Sequence, residues 1–262
     1  MKMNPVIELI LSRKSVRAYG ARQISKKVKD ELLKATLRAP TAGNMMLYSI
    51  VEVQDQSIKD TLAKTCDNQP FIAKAPLVLL FLADYQRWVD YYLVSGVKEL
   101  CEQNQVPMRK PEEGDLFLAC CDALIAAQTA VIAAESLGLG SCYIGDIMEN
   151  YEVHKELFKL PQYVFPICLV CFGYPTKGQK ERELTRRFDK KFIVFENQYQ
   201  RLDRASFEEM YHDLHERTFQ DRETIEGARN IGQLNYLRKF SADFSKEMSR
   251  SVRAILAAWK ED

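Results

Sequence analysis

Arg13, Lys14, Ser15 and Arg17 place three cations and a hydroxyl within five residues. Planar guanidinium donors beside a short hydroxyl can clasp a phosphate. The same basic residues also suit a helix C-terminus, where they face its partial negative charge. A second stretch, Ala39-Pro40-Thr41-Ala42-Gly43-Asn44, is small and polar, so a flat ligand can approach its backbone. It reads equally as an ordinary helix-to-strand turn. A third, Ser141-Cys142-Tyr143-Ile144-Gly145, is a short extended piece ending on glycine, which can bring backbone N–H groups to a ligand. A fourth, residues 176–191, carries Lys177, Lys180, Arg182, Arg186, Arg187, Lys190 and Lys191. By itself such a run is a solvated loop. The sequence has no GxGxxG after a strand, no GxxxxGK[ST], no GxSxG and no HExxH. Dinucleotide-fold, kinase and common hydrolase chemistries therefore have no support.

The elements that must position these groups are organised around residues 115–146. About 24 residues of this stretch favour helix, a length of roughly 36 Å. Almost every position is apolar or small, and Asp115, Asp122, Thr129 and Ser136 recur every seventh residue as one narrow polar stripe. A helix apolar on nearly every side must be covered on nearly every side. Asp122, Gln128 and Glu135 argue against a membrane span. Gly138-Leu139-Gly140 ends the helix.

Around it the pattern predicts a short helix over 4–12 capped by Asn4, and a second from Ser25 to about Arg38. Leu47–Val53 alternates like a strand, and Gln56–Thr65 is helical. Pro76–Ala83 and Tyr163–Phe172 are continuous apolar runs, read as strands buried on both faces. Glu149–Lys159 reads as a helix and Phe192–Phe195 as a final short strand. Residues 84–114, rich in aromatics and charge, read as an excursion or lid, or as plain surface structure. From Asp203 onward the chain reads as charged amphipathic helices too thin in core to fold alone, packing on the main body or a partner subunit. The result is an α+β sandwich.

Composition narrows the function. The chain has 262 residues, 47% hydrophobic, with a net charge of +1. That charge exerts no global pull on nucleic acid or membrane. The basic run lacks the interleaved aromatics of a nucleic-acid surface. Seven cysteines, with a single CxxC spacing (Cys168 and Cys171) inside an apolar run, and only three histidines do not make a structural zinc site. With no cleavage-type leader read at the N-terminus, the expected compartment is the reducing cytoplasm.

Taken in order, the segments resemble those of the FMN-dependent nitroreductase family. Arg13–Tyr19 resembles its R-R-S-[IV]-R-x-[FY] segment, Ala39–Asn44 its A-P-S-A-x-N loop, and Ala134–Gly145 its A-E-x-L-G-L-G-x-x-[WY]-I-G segment. Phe158–Pro161 and Cys171–Pro175 are similar to its L-x-L-P … G-[YW]-P strand. Arg187 and Phe195–Tyr199 are similar to its R … [HF]-E-N-x-Y close. The resemblance covers about residues 5–200, and the C-terminal helices resemble the NADPH-preferring nitroreductase and flavin-reductase subgroup.

The resemblance implies an α/β/α sandwich with a central mixed or antiparallel sheet. It also implies a domain-swapped-type homodimer with FMN sites at the subunit interface. Residues 1–200 would form the FMN-binding domain, and 201–262 a helical extension. The central helix would lie in the interface, so a charge at Ala126 would break the dimer. Arg13, Ser15 and Arg17 would hold the FMN phosphate with Arg187, and Lys14 lies in the same clasp. Thr41, with Asn44 in its loop, would contact the ring or ribityl chain, and Gln69 the pyrimidine side. Tyr143, Ile144 and Gly145 would line the ring, with the N–H of Gly145 or Asp146 directed at flavin N5. No side chain need be catalytic, because flavin N5 is the reactive centre. NADPH, or NADH, would supply hydride and a small-molecule acceptor would remove it.

This chain departs from the pattern in three places. Met46 stands where Gln is common, Asp146 where the subgroup has a second Gly, and Thr185 where it has Lys. Arg186, Lys190 or Lys191 would restore the last charge. Arg217 and Arg222 are candidates for the nucleotide phosphate. The competing function is flavin binding or storage without turnover.

Overall fold

The computed structural model describes residues 3–220 and 222–260. They form two compact units, Met1–Glu183 with Glu247–Asp262, and Leu184–Lys246. The expected border at residue 200 therefore differs from the one the packing draws.

The first unit is built on four strands: β1 (Tyr48–Glu52), β2 (Leu77–Asp84), β3 (Gly140–Ile144) and β4 (Val164–Gly173). They run in the order β1-β2-β4-β3, and every neighbouring pair is antiparallel. The parallel element is a single bridge, Ser15 to Ser141 on the outer edge of β3. β2 and β4 are the continuous apolar runs, and alternation sends their residues to two different cores. Leu77, Leu79 and Phe81 face one core, and Val78, Leu80 and Leu82 the other.

Helices fill both faces. In chain order they are α1 (Pro5–Ser12), α2 (Lys26–Thr36), α3 (Gln56–Thr65), α4 (Phe71–Lys74), α5 (Gln86–Val94), α6 (Val97–Gln103), α7 (Glu113–Ser136) and α8 (Tyr151–Phe158). Next come α9 (Lys177–Glu181), α10 (Arg204–Phe219), α11 (Ile231–Asn235) and α12 (Asp243–Lys260). α2 and α7 cover one face of the sheet, and α3, α4 and α8 the other. This is the expected α/β/α sandwich. A third cluster closes one end, where Ile255 and Trp259 of α12 pack with Leu47, Leu116, Tyr163 and Phe165. The C-terminal helix thus supplies large apolar anchors that its charged sequence obscures.

α7 is the only described helix long and apolar enough to cross a bilayer by length and composition. Ala119, Ala123, Ala126, Ala127, Ala130 and Ala134 pack it against the sheet with no exposed surface. Small side chains let the helix and sheet backbones approach closely. Its opposite face leaves Phe117, Leu118, Leu124 and Ile125 exposed, beside an equally apolar α1. Ala126 lies on the sheet side, so a charge there would break the core and cannot report on a dimer.

The second unit has its own small core of Phe219, Ala228, Ile231 and Leu234, with Tyr211 and Ile225 against it. The expected strand over 192–195 is absent. Asp189 accepts the N–H of Lys191 at 2.9 Å and caps a 3₁₀ turn over Lys190–Phe192.

Candidate functional site

The clasp lies along the edge of the sheet. Val16 donates its N–H to Ser141 O at 2.8 Å, and Gly20 donates to Tyr174 O at 2.8 Å. Two glycines permit this approach. A Cβ on Gly140 would stand 2.4 Å from Val16 Cγ2, and one on Gly173 would stand 2.5 Å from Tyr19. With α1 ending at Arg13, the chain turns directly into this edge segment.

The positive charges of Arg17, Arg13 and Arg182 act on the buried Cys142 thiol, which also meets the Ser15 hydroxyl. Burial pushes that thiol above its ordinary range despite the surrounding positive charge. Arg13 Nε is buried without a hydrogen-bond partner. Such a donor is costly unless something accepts from it. Burial raises the carboxyl of nearby Glu135 and Arg13 lowers it, with a net upward shift. Arg17 lies 5.9 Å from the centre of the Phe71 ring. The cluster can bind an anion.

Lys14 does something else. Its ammonium donates to Lys180 O at 2.9 Å and to Arg182 O. Gln179 Oε1 accepts the Arg17 N–H at 3.2 Å, and the Arg182 guanidinium donates to Ser15 O at 2.6 Å. Lys14 therefore fastens the 179–182 segment to the clasp, and Arg182 joins it. Arg182 stood in the sequence as one charge among seven in a loop. Its role depends on contacts 167 positions away.

Along β3 from the clasp lies the turn. Tyr143 and Ile144 point to opposite faces. Tyr143 is half-buried on the α7 side and donates its hydroxyl to Gln128 Oε1 at 3.3 Å, while Ile144 is buried in the other core. The Ile144 side chain therefore cannot line a ligand, and only its backbone faces the site. Gly145 is exposed, with no atom within 4 Å of where a Cβ would stand. That is open space suited to a ligand's backbone contact. Asp146 is half-exposed and its Oδ2 accepts from Gln69 Nε2 at 2.7 Å. Two of the expected site residues are thus joined directly. Gln69 sits just after Asp67 and Asn68, both at positive φ. Consecutive left-handed residues of this kind store strain that the surroundings must hold.

The 41–47 loop is held by Asp122 of α7, buried at 2% exposure. Asp122 accepts the N–H of Ala42 at 2.9 Å, that of Leu47 at 3.0 Å and the Thr41 hydroxyl. Thr41 Oγ1 in turn accepts the Met46 N–H at 2.8 Å. The Thr41 hydroxyl is therefore committed to the loop's own structure. Asn44 is exposed at φ 57, and Met46 holds φ 51. From α5, Arg87 donates to Met46 O and Tyr48 O at 2.7 Å each, and Trp88 Nε1 donates to Met45 O at 2.8 Å. The first part of the 84–114 excursion thus clamps this loop.

Arg186 and Arg187 belong to the second unit. Arg186 pairs with Asp213 at 2.7 Å, and Arg187 donates to its own segment at Thr185 O. With Lys191 and Arg217 they line a cavity of about 800 Å³. Arg217 pairs with Asp213 at 3.8 Å.

Comparison with known proteins places the chain in a family. The chain is 30% identical to an oxygen-insensitive NADPH nitroreductase of Salmonella typhimurium over 77% of each chain. It is 32% identical to an NADPH-dependent FMN reductase of Bacillus subtilis over 75% of each. The solved structure of nitroreductase A from Vibrio parahaemolyticus superposes with a TM-score of 0.79 at 25% identity, covering 99% of this chain and 100% of that one. Residues 10–174, from the end of α1 to the end of β4, match the model of the Nitroreductase family. The chain belongs to the Nitroreductase family.

Proposed function

We propose that the protein is an FMN-dependent NAD(P)H oxidoreductase that reduces nitroaromatics, quinones or free flavin at the expense of NADPH. One observation carries this reading. Arg13 and Arg17 flank Ser15, and Arg182 donates to Ser15 O, at one end of β3, whose other end is the Gly145–Asp146 turn against Gln69. A ligand with an anionic tail and a polar ring fits those two ends. The relatives named as NADPH nitroreductase and NADPH-dependent FMN reductase support the choice of FMN and NADPH.

Bound FMN would supply the two-electron chemistry, accepting hydride from NADPH and releasing it to an acceptor in a ping-pong cycle. Arg13, Ser15 and Arg17, joined by Arg182, would hold the phosphate, and Lys14 would keep Arg182 in place. Gly145 and Asp146 would present backbone N–H groups to the ring. Gln69 would reach its polar edge, and the 41–44 backbone, including Asn44, would bound it. Such fixed donors favour negative charge where it develops and need no reorganisation. The cavity around Arg186, Arg187, Lys191 and Arg217 is the proposed seat for phosphate of the nicotinamide nucleotide. Arg187 is also a candidate for the flavin phosphate.

The reading includes a homodimer, supported by the exposed apolar face of α7 beside α1. Seven free cysteines favour a reducing compartment, the cytoplasm. In the proposed division, 84–114 acts as a lid over the 41–47 loop and 201–262 is an extension.

Purified protein should be yellow, and its flavin absorbance should bleach on anaerobic addition of NADPH. Colourless protein that ignores added FMN overturns the proposal. Protein that holds FMN and leaves NADPH unoxidised is a flavin-storage protein instead.

A further inference from the structure

Glu149 is a buried acid with no role in the site described so far. It is 4% exposed, and its Oε1 has no hydrogen-bond partner. It lies in the same 3₁₀ turn as Asp146, with its N–H donating to Asp146 O at 3.0 Å. Its carboxyl meets the Asp146 carboxyl, whose Oδ2 accepts from Gln69 at 2.7 Å. The amide of Gln69 also donates to Cys66 O at 3.0 Å. The chain of groups therefore runs from a sealed acid, through a half-exposed one, to the ligand side of the turn.

The surroundings of Glu149 all disfavour charge. From the loop after α3 it faces Asp67, from α12 Glu247, and from its own turn Asp146. The Cys66 thiol at the end of α3 lies close, raised by its own burial, then by Asp146 and by Glu149. His154 of α8 is buried, with its ring nitrogens committed to Ile147 O and Thr65 Oγ1, and burial lowers its basicity. Glu247 is itself engaged by Arg250 and by the Asn150 N–H. Desolvation first, then Asp146, holds the Glu149 carboxyl up at about 8. Among the described residues no cluster is arranged to hold a metal ion.

We propose that Glu149 and Asp146 form the proton store for the acceptor half of the reaction, with Glu149 the buried donor and Asp146 the relay. The idea rests on the FMN reductase reading above. Net hydride transfer would convert a quinone to the hydroquinone monoanion, which needs one proton to become the hydroquinone. That proton passes from the Glu149–Asp146 pair to the product oxygen. The pair is left one unit more negative and reloads from water at the half-exposed Asp146. The hydride, with its electron pair, comes from NADPH and leaves NADP⁺, and the pair supplies the proton, so atoms and charge balance. In this chain an acid occupies the turn where a plain glycine would offer only its backbone.

The test uses the full-length holoprotein and first asks for FMN binding. Failure of wild-type protein to bind FMN removes both readings together. Infrared titration should then reveal one carboxylic acid that stays protonated past neutrality, lost in Glu149→Gln and retained in Glu149→Asp. Stopped-flow reoxidation of the reduced enzyme compares benzoquinone, which needs protons, with ferricyanide, which does not. Glu149→Gln and Asp146→Asn should slow benzoquinone relative to ferricyanide by roughly 10²-fold, and Glu149→Asp should recover part of the rate. Wild-type benzoquinone reduction should fall as pH rises through about 8. Equal slowing with both acceptors, no slowing with either, or no carboxyl titrating above neutrality overturns the inference and leaves the FMN reading intact.

Discussion

Thr41 and Asp122, 81 positions apart, share a hydrogen bond that ties the 41–47 loop to the central helix. Asp122 also accepts two backbone N–H groups of that loop. Removing it strands three donors, of which the Leu47 N–H is fully buried. Asp122→Ala should cost about 3 kcal/mol of stability by denaturant unfolding. It should also release FMN, read by retained absorbance after gel filtration. Asp122→Asn keeps one accepting oxygen and should recover part of both. Unchanged flavin content in Asp122→Ala would show that the loop does not depend on this anchor.

The clasp arginines and Lys14 should separate by readout. Arg13→Ala, Arg17→Ala and Arg182→Ala should each weaken FMN by about tenfold to a hundredfold, in a salt-dependent manner. Riboflavin, which lacks the phosphate, should bind nearly alike to wild type and variants. Lys14→Met, which frees the carbonyls of Lys180 and Arg182, should act through the loss of Arg182 placement. Adding it to Arg182→Ala should therefore give less than the sum of the two effects. Fluorescence titration with both ligands checks this.

Two glycines on the same strand and turn should behave oppositely. At Gly140 a methyl would overlap Val16, so Gly140→Ala should destabilise by about 1–3 kcal/mol and displace the clasp. At Gly145 a methyl meets no protein atom. Gly145→Ala should stay within about 0.5 kcal/mol of wild type. Its effect should fall on FMN affinity, where the methyl occupies the ligand's space. Thermal melts of apoprotein and flavin titrations distinguish the two.

Stability should fall as pH rises from about 5 to 8. The native Glu149 carboxyl holds its proton to about 8, whereas in the unfolded chain a glutamate releases it near its ordinary value of about 4.3. The native state thus binds more protons through that window, and each added pH increment favours unfolding. The loss is on the order of 3 kcal/mol between pH 5 and 8. Glu149→Gln should flatten the curve and melt higher than wild type at pH 8. Parallel curves for the two proteins would mean that Glu149 ionises normally.

For the dimer, Ile125→Glu is the informative substitution. Ile125 is exposed on α7, and Ala126, its neighbour, is sealed against the sheet. Ile125→Glu should yield folded monomers with reduced flavin content by light scattering and absorbance. Ala126→Glu should fail to fold. A dimeric Ile125→Glu protein with full flavin would move the interface elsewhere.

The parts of this molecule legible in the sequence are those whose logic is local. The cations at 13–17, the helix from 113 to 136 and the glycine that follows β3 all declare themselves within a short window. The two central strands do so as well, since burial on both faces leaves an unbroken apolar run. Ile144 was in principle readable too, because strand alternation sends neighbours to opposite faces and Tyr143 and Ile144 cannot both face one ligand. The rest depends on closure of the chain. Lys14 has the residue type of a phosphate ligand, yet its partners are carbonyls more than 160 positions away. Asp122 looks like one member of a polar stripe until the 41–47 loop folds over it. Trp259 and Ile255, spaced on a charged helix, reveal their core role only when Tyr163 and Phe165 are beside them. The short strand expected at 192–195 yields to a cap at Asp189, a local effect that outweighs four apolar residues in a row.

β3 has one more consequence. Its first residues carry the bridge to Ser15, and its last delivers Gly145. The four steps from Ser141 to Gly145 span about 13 Å at the rise of an extended chain. On the proposed reading, the strand would therefore act as a ruler between the anion seat and the ring edge. Because its other side is hydrogen-bonded to β4 residue by residue, that length cannot stretch or shorten without breaking the sheet. On the proposed reading, the distance between the two ends is set by backbone spacing, while side chains at each end set how strongly that end binds.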